Sequence, residues 1–118
     1  MKAQVQTNLD PAKVLSEALV NAGKALGLTQ AEIGDAIGKY RTSIATGIDP
    51  HSKAGTLALY LIRIYRSLFA LVDGEADEMQ LWMKGFNTGT NGIPKEQIQD
   101  IAGVVHLMEY LDAMRGKI

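Results

Sequence analysis

The sequence has 118 residues, 47% of them hydrophobic, and its 12 Lys and Arg residues nearly balance its 13 Asp and Glu residues, leaving a formal net charge of −1 at pH 7. This composition excludes wholesale disorder and predicts one folded domain, or two very small ones that share a core. The absence of cysteine excludes disulfides, thiolate catalysis and sulfur-ligated zinc, and two histidines alone cannot hold a metal ion, so we expect neither metal nor cofactor.

Apolar residues recur at spacings of three and four throughout the chain, which predicts an all-α fold. The first predicted helix runs from the Asp10-Pro11 pair to Gly27. The carboxylate of an aspartate can accept hydrogen bonds from the free amides at a helix start. A proline is tolerated in the first helical position because the amide hydrogen that it lacks would have no partner within the helix. Gly27 can end the helix in a left-handed conformation. The expected inward residues are Leu15, Leu19, Ala22 and Leu26.

Two short helices are predicted next. Thr29 and Glu32 have capping-box spacing, which opens a helix that stops at Gly38. The following helix covers residues 41–46 and is less than two turns long, because Gly47 and Pro50 interrupt the chain behind it.

Ser52 can cap the longest predicted helix, which is apolar on two sides. Such a helix needs two packing partners. It is either a central helix wrapped by its own chain or a helix whose second side forms the seam of a dimer, and the sequence leaves both open. The expected core face is Ala54, Leu57, Ala58, Leu61, Ile62, Tyr65, Leu68, Phe69 and Val72. The second side contains Tyr60, Ile64 and Leu71.

The C-terminal third is predicted to contain two helical segments around a loop. Residues 85–94 include three Gly, two Asn and one Pro, which favours a structured loop. Pro94 begins the final segment, which ends near Met114 and is bent or divided by Gly103. The residues at helical spacing before the loop are Met79, Trp82, Met83 and Phe86. The expected inward residues after it are Ile98, Ile101, Val104, Val105, Met108 and Leu111.

The charges are distributed unevenly along this chain. Residues 39–72 carry five basic side chains and one acidic one, whereas residues 73–118 carry four basic and eight acidic ones. A basic segment in a nearly neutral protein is typical of a surface that faces DNA, although a solvated helix face has the same pattern. We therefore expect a functional division at residue 73, into domains 1–72 and 73–118. The basic residues are Lys39, Arg41, Lys53, Arg63 and Arg66.

The segment LTQAEIGDAIGKYRTSI, residues 28–44, resembles the helix-turn-helix of the Xre and phage-repressor type. Gly34 is small where the two helices would cross, and Gly38 permits the turn between them. The apolar anchors are Ile33, Ile37 and Ile44.

By this resemblance, the first residues of the second short helix read base edges in the major groove. Arg41 has the geometry for a bidentate contact to guanine, and Gln30 lies at a helix start that favours phosphate. The candidate DNA-binding residues are Gln30, Lys39, Tyr40, Arg41, Thr42, Ser43 and Thr46. A helix-turn-helix that serves only for packing is the alternative.

The order of Trp82, Asn87, Gly92, Pro94, Gly103 and Tyr110-Leu111 is similar to the Xre/MbcA/ParS toxin-binding domain of antitoxins paired with RES-type toxins. The resemblance implies a toxin-binding C-terminal domain, whose acidic charge would suit a basic cleft. The candidate toxin-binding residues are Trp82, Phe86, Asn87, Gly92, Pro94, Tyr110, Leu111 and Arg115. Read from the residues alone, Trp82 and Tyr110 are equally typical of core positions with one polar edge. A further hypothesis places residues 112–118 in the substrate pocket of the toxin.

The combined resemblance implies a cytoplasmic, homodimeric antitoxin that neutralises a cognate NAD-consuming RES toxin and represses its own operon by binding operator DNA. One alternative is a dimeric helix-turn-helix transcriptional regulator without a toxin partner, and another is an interaction protein with a vestigial helix-turn-helix. We expect no enzymatic activity, since His51 and His106 are more typical of a loop and a helix surface than of a general base. The possible carboxylate pairs, Asp77 with Glu78 and Asp100 with Glu109, have no partner nucleophile. No membrane partner is expected, because the sequence lacks a long uncharged apolar run.

Overall fold

The computed structural model describes residues 9–117. This part of the chain forms seven helices and no strand, so the predicted all-α fold is confirmed. The helices are α1 (Pro11–Ala25), α2 (Gln30–Ile37), α3 (Arg41–Thr46), α4 (Lys53–Leu71), α5 (Ala76–Lys84), α6 (Pro94–Gln97) and α7 (Ile101–Arg115).

The predicted helix starts are confirmed in the N-terminal half. The Asp10 carboxylate accepts a hydrogen bond from the Ala12 amide at 3.0 Å. Thr29 and Glu32 form a reciprocal capping box, in which the Thr29 hydroxyl accepts from the Glu32 amide at 3.1 Å and the Glu32 carboxylate accepts from the Thr29 amide at 2.8 Å. Ser52 caps α4 through the Gly55 amide. These caps act within four residues of chain, so local sequence is sufficient to predict them.

Helix α4 lies at the centre of the fold and packs against α1 and α7. Both of its apolar sides are therefore partnered by its own chain, and Leu61 and Ile64 are fully buried. The predicted core face is wrong at one position. Ile64 belongs to the core because α7 covers its side, whereas Phe69 is 46% exposed and lies over the turn at Gly74.

The length and composition of α4 would suffice to cross a membrane, with a mean hydropathy of 1.3. The same properties are expected of a helix that forms the core of a small helical domain. Its packing against two neighbouring helices accounts for this apolar character.

The final helical region is divided, but not at Gly103. Helix α6 ends at Gln97, and Asp100 caps α7 through the Gly103 amide at 2.8 Å. Ile101 is 57% exposed, so the prediction that it points inward is wrong, because it lies at the open end of the groove between α4 and α7. Leu107, which the prediction omitted, is fully buried instead.

One cluster of buried side chains runs through the fold from α1 to α7. The turn between α4 and α5 falls at the predicted functional division, where Asp73 and Gly74 both have positive φ angles, of 54° and 77°. The two halves of the chain thus meet at a sharp turn while sharing a core.

Candidate functional site

The two short helices α2 and α3 lie on either side of the predicted turn at Gly38, which has a left-handed φ of 73°. In α3 only Ile44 is buried. The structure brings the predicted DNA-binding residues together around α3 and at the start of α2, where all seven are exposed to solvent. Tyr40, which precedes α3, is 84% exposed, more than any other large hydrophobic residue between positions 9 and 117.

Helix α3 is held in place by α1. The Ser16 hydroxyl, which is buried, donates a hydrogen bond to the Ile44 carbonyl, and the Ile48 amide donates to the Ala12 carbonyl at 3.0 Å. Sequence reasoning missed Ser16, although a hydroxyl among the inward residues of α1 was a signal that its partner lay elsewhere in the core. Tyr40, the N-cap residue of α3, makes no capping hydrogen bond with its side chain. The position of α3 is instead fixed by its contacts with α1.

The close approach of α2 to the turn depends on Gly34. A Cβ at this position would overlap the carbonyl oxygen of Lys39. The glycine was predicted to be small at a helix crossing, and the structure shows that its neighbour is the backbone of the turn. The start of α3 is thereby pressed against α2.

The charge around α3 is more mixed than the sequence predicted. Lys39 and Arg41 line a shallow groove between α2 and α3 that also contains the carboxylate of Asp35. Arg63 belongs elsewhere, because it forms an ion pair with Asp112 of α7. The surface around α3 therefore contains fewer basic side chains than the basic segment of the sequence, residues 39–72.

A polar cluster joins α4 to the end of α7. Ser67 is fully buried, and its hydroxyl donates to a carboxylate oxygen of Asp112 at 3.0 Å. The Asp112 carboxylate also accepts from Arg63, and Arg115 donates to the Ser67 hydroxyl at 3.4 Å. Arg115, a predicted toxin contact, is exposed but tied to α4 through this cluster.

The loop between α5 and α6 is a compact turn. Asn87 and Gly92 exchange two backbone hydrogen bonds, of 2.8 and 3.2 Å, and the Asn87 side chain accepts from the Thr90 amide at 3.1 Å. The Tyr110 ring packs so closely on Gly89 that a Cβ there would overlap its hydroxyl. Tyr110 of α7 therefore supports the loop, and the predicted loop residues lie together.

The predicted toxin-binding residues differ in exposure. Phe86 is 66% exposed, because α5 ends at Lys84 and the chain turns outward at Gly85. Trp82 and Tyr110 are half-buried. Pro94 and Leu111 are buried within the fold, so their side chains pack beneath the surface.

Sequence reasoning also missed Leu81 on α5. This residue is 69% exposed, although it lies inside a helix that is anchored by the buried Met79 and Met83. The signal in the sequence was its position on α5 between Met79 and Met83, which places Leu81 on the opposite side of the helix from these two buried residues.

Among residues 9–117, no group of three or more His, Asp or Glu side chains is arranged to hold a metal ion. The exposed groups of this half are suited to contacts with a macromolecule.

Comparison with known proteins gives one family match. Residues 67–117 match the antitoxin Xre/MbcA/ParS C-terminal toxin-binding domain. A search of curated proteins found no match. The matched region begins in the last turns of α4 and includes α5, the Asn87–Gly92 turn, α6 and α7. The segment from Ser67 to Lys117 therefore matches the toxin-binding domain of the Xre/MbcA/ParS antitoxins, as the order of residues in the sequence predicted.

Proposed function

We propose that this protein is the antitoxin of a RES-type toxin-antitoxin pair, which binds and neutralises an NAD-consuming toxin and represses its own operon. The observation that carries the proposal is the family match of residues 67–117, in a chain whose other half presents two short helices, α2 and α3, to solvent. Toxin binding is assigned to α5, the following loop and the end of α7. DNA binding is assigned to α3 and the start of α2.

The exposed side of α3 supports the DNA-binding assignment. A recognition helix needs a buried anchor and a polar outer face at its N-terminal end, and α3 has Ile44 as the anchor with Arg41, Thr42 and Ser43 outside. We propose that a homodimer presents two such helices to half-sites about 34 Å apart, one turn of DNA.

Co-expression with the product of the adjacent gene tests the neutralisation. We expect growth to be restored and the two proteins to purify as a complex. Absence of both a complex and growth rescue would contradict the antitoxin function. Binding to the upstream operator without any toxin complex would instead favour a transcriptional regulator whose C-terminal half serves another partner.

Replacement of Arg41 by alanine tests the DNA reader. We expect Arg41→Ala to weaken operator binding roughly 10- to 100-fold, because the variant loses a base contact and one phosphate-attracting charge. Arg41→Lys should keep the salt dependence but lose discrimination between operator and random DNA, since lysine cannot make the bidentate contact. Fluorescence anisotropy with labelled operator at several salt concentrations measures both quantities.

The matched control for Arg41 is Lys84→Ala. Lys84 is an exposed cation of α5, a helix that contacts neither α2 nor α3. We expect its loss to change operator affinity less than about twofold. Equal affinities for wild type and Arg41→Ala would show that α3 is a packing element and would contradict its proposed role in reading DNA.

A further inference from the structure

We propose that the outer face of α5, centred on Leu81, is the surface on which the toxin docks, and that the matching toxin surface is an apolar pocket bordered by basic side chains. This inference rests on the proposed function, and names the contact surface and the chemistry of the partner.

The exposure of Leu81 is the first observation. At 69% exposed, it is the most exposed leucine within any helix of residues 9–117, and Leu59 follows at 47%. Helix α5 is packed on its other side through Met79 and Met83, which are 2% and 0% exposed. The helix is thus firmly seated while it presents a large apolar side chain to solvent. Phe86, two residues beyond the end of α5, adds a second apolar group that is 66% exposed.

The charges around Leu81 indicate the kind of partner. Asp77 and Glu78 precede it by four and three residues, which places them one helical turn away on the same face. Both are exposed, and neither takes part in an ion pair within the described chain. Two more exposed acids, Asp73 and Glu75, lie before the helix. The same face carries one exposed base, Lys84, three residues after Leu81, so the acids predominate; they would repel the phosphates of DNA and favour a cationic protein surface.

The apolar and charged parts of this surface have separable effects on binding. Burial of a large apolar side chain at the centre of an interface mainly slows dissociation, whereas charges at its rim mainly accelerate association and depend on salt. The two groups of residues can therefore be tested with different kinetic readouts.

Leu81→Ala tests the apolar part. We expect the full-length variant to bind the cognate RES toxin about tenfold more weakly or worse, mainly through faster dissociation measured by biolayer interferometry. Alanine is the best helix former, so α5 should keep its helicity by circular dichroism. The control is Leu59→Ala, the same change at an exposed leucine of α4, which should alter affinity less than about twofold.

Asp77→Asn combined with Glu78→Gln tests the charged part. These changes keep side-chain size but remove two charges, so association should slow and its dependence on salt should flatten while dissociation stays near the wild-type rate. The control, Glu17→Gln with Asp35→Asn, removes two exposed charges from α1 and α2, neither of which is assigned to toxin binding. It should leave the salt dependence as it is in the wild type.

The possible outcomes separate this inference from the proposed function. If wild type binds the toxin and Leu81→Ala binds it equally well, α5 is not the docking surface, although the protein is still an antitoxin. If wild type itself does not bind, the proposed function fails. If Leu81→Ala changes the oligomeric state of the isolated protein in analytical ultracentrifugation, the face joins two copies of this chain and the inference is overturned.

Discussion

Gly103→Ala is expected to lower the free energy of unfolding by about 3 kcal/mol, although alanine forms helices better than glycine. A Cβ at this position would overlap the carbonyl oxygen of Gln97, at the end of α6. That oxygen belongs to the backbone and cannot rotate away like the tip of a side chain. To relieve the overlap, α6 and α7 must separate, and the gain of about 1 kcal/mol in helix propensity is too small to offset the packing that is lost. Urea denaturation followed by the fluorescence of Trp82 measures the change.

Gly116→Ala is the matched control for Gly103→Ala. Gly116 follows the end of α7 with a φ of −66°, and its Cβ would lie 3.4 Å from the nearest carbonyl oxygen, that of Asp112. We expect this substitution to be neutral or to stabilise by less than about 1 kcal/mol. Equal denaturation midpoints for the two variants would show that α6 and α7 do not approach each other as closely as the structure places them.

Gly103 also shows what kind of information the sequence lacks. The glycine suggested a bend in the last helix, because helical periodicity continues on both sides of it. In the structure the helical segment is interrupted at residues 98–100. Gly103 is needed because the backbone carbonyl of Gln97 lies beside it. A local pattern can mark such a residue, but it cannot say which distant group requires the missing side chain.

Capping residues behave differently, since their partners lie within a few positions. Asp10, Thr29 with Glu32, and Ser52 were all predicted to start helices, and each makes its hydrogen bond in the structure. By contrast, the burial of Ile64 and the exposure of Phe69 depend on which side of α4 receives α7. Two apolar sides on one helix do not determine this choice, so the sequence left it open.

The candidate surfaces were predictable only in part for the same reason. The helix-turn-helix residues form one exposed group around α3, as the resemblance implied, because the motif is local. The candidate toxin-binding residues combine surface ones such as Phe86 with buried ones such as Leu111. A sequence motif identifies residues that the domain requires. It does not distinguish the residues that pack inside the domain from those that contact a partner. Leu81 was missed because no family position marked it.

Helix α4 provides the core that both halves of the chain share. Leu61 is fully buried in the helix that packs against α1 and α7, so Leu61→Ala is expected to cost about 3 to 5 kcal/mol. This is a large share of the roughly 5 to 15 kcal/mol that stabilises a domain of this size. Because the buried cluster is continuous, we expect both halves to lose this stability together, although their proposed functions differ.

Two local probes can follow the halves separately in Leu61→Ala. Trp82, the single tryptophan, reports on α5, and hydrogen exchange at the amides of α2 and α3 reports on the helix-turn-helix. Coincident transitions, both shifted to lower urea concentration, are expected of one cooperative unit. Leu59→Ala, on the exposed side of α4, should shift neither probe by more than about 0.5 kcal/mol. If only one probe shifts in Leu61→Ala, the chain consists of two folding units, and the turn at Asp73 and Gly74 divides its stability as well as its proposed functions.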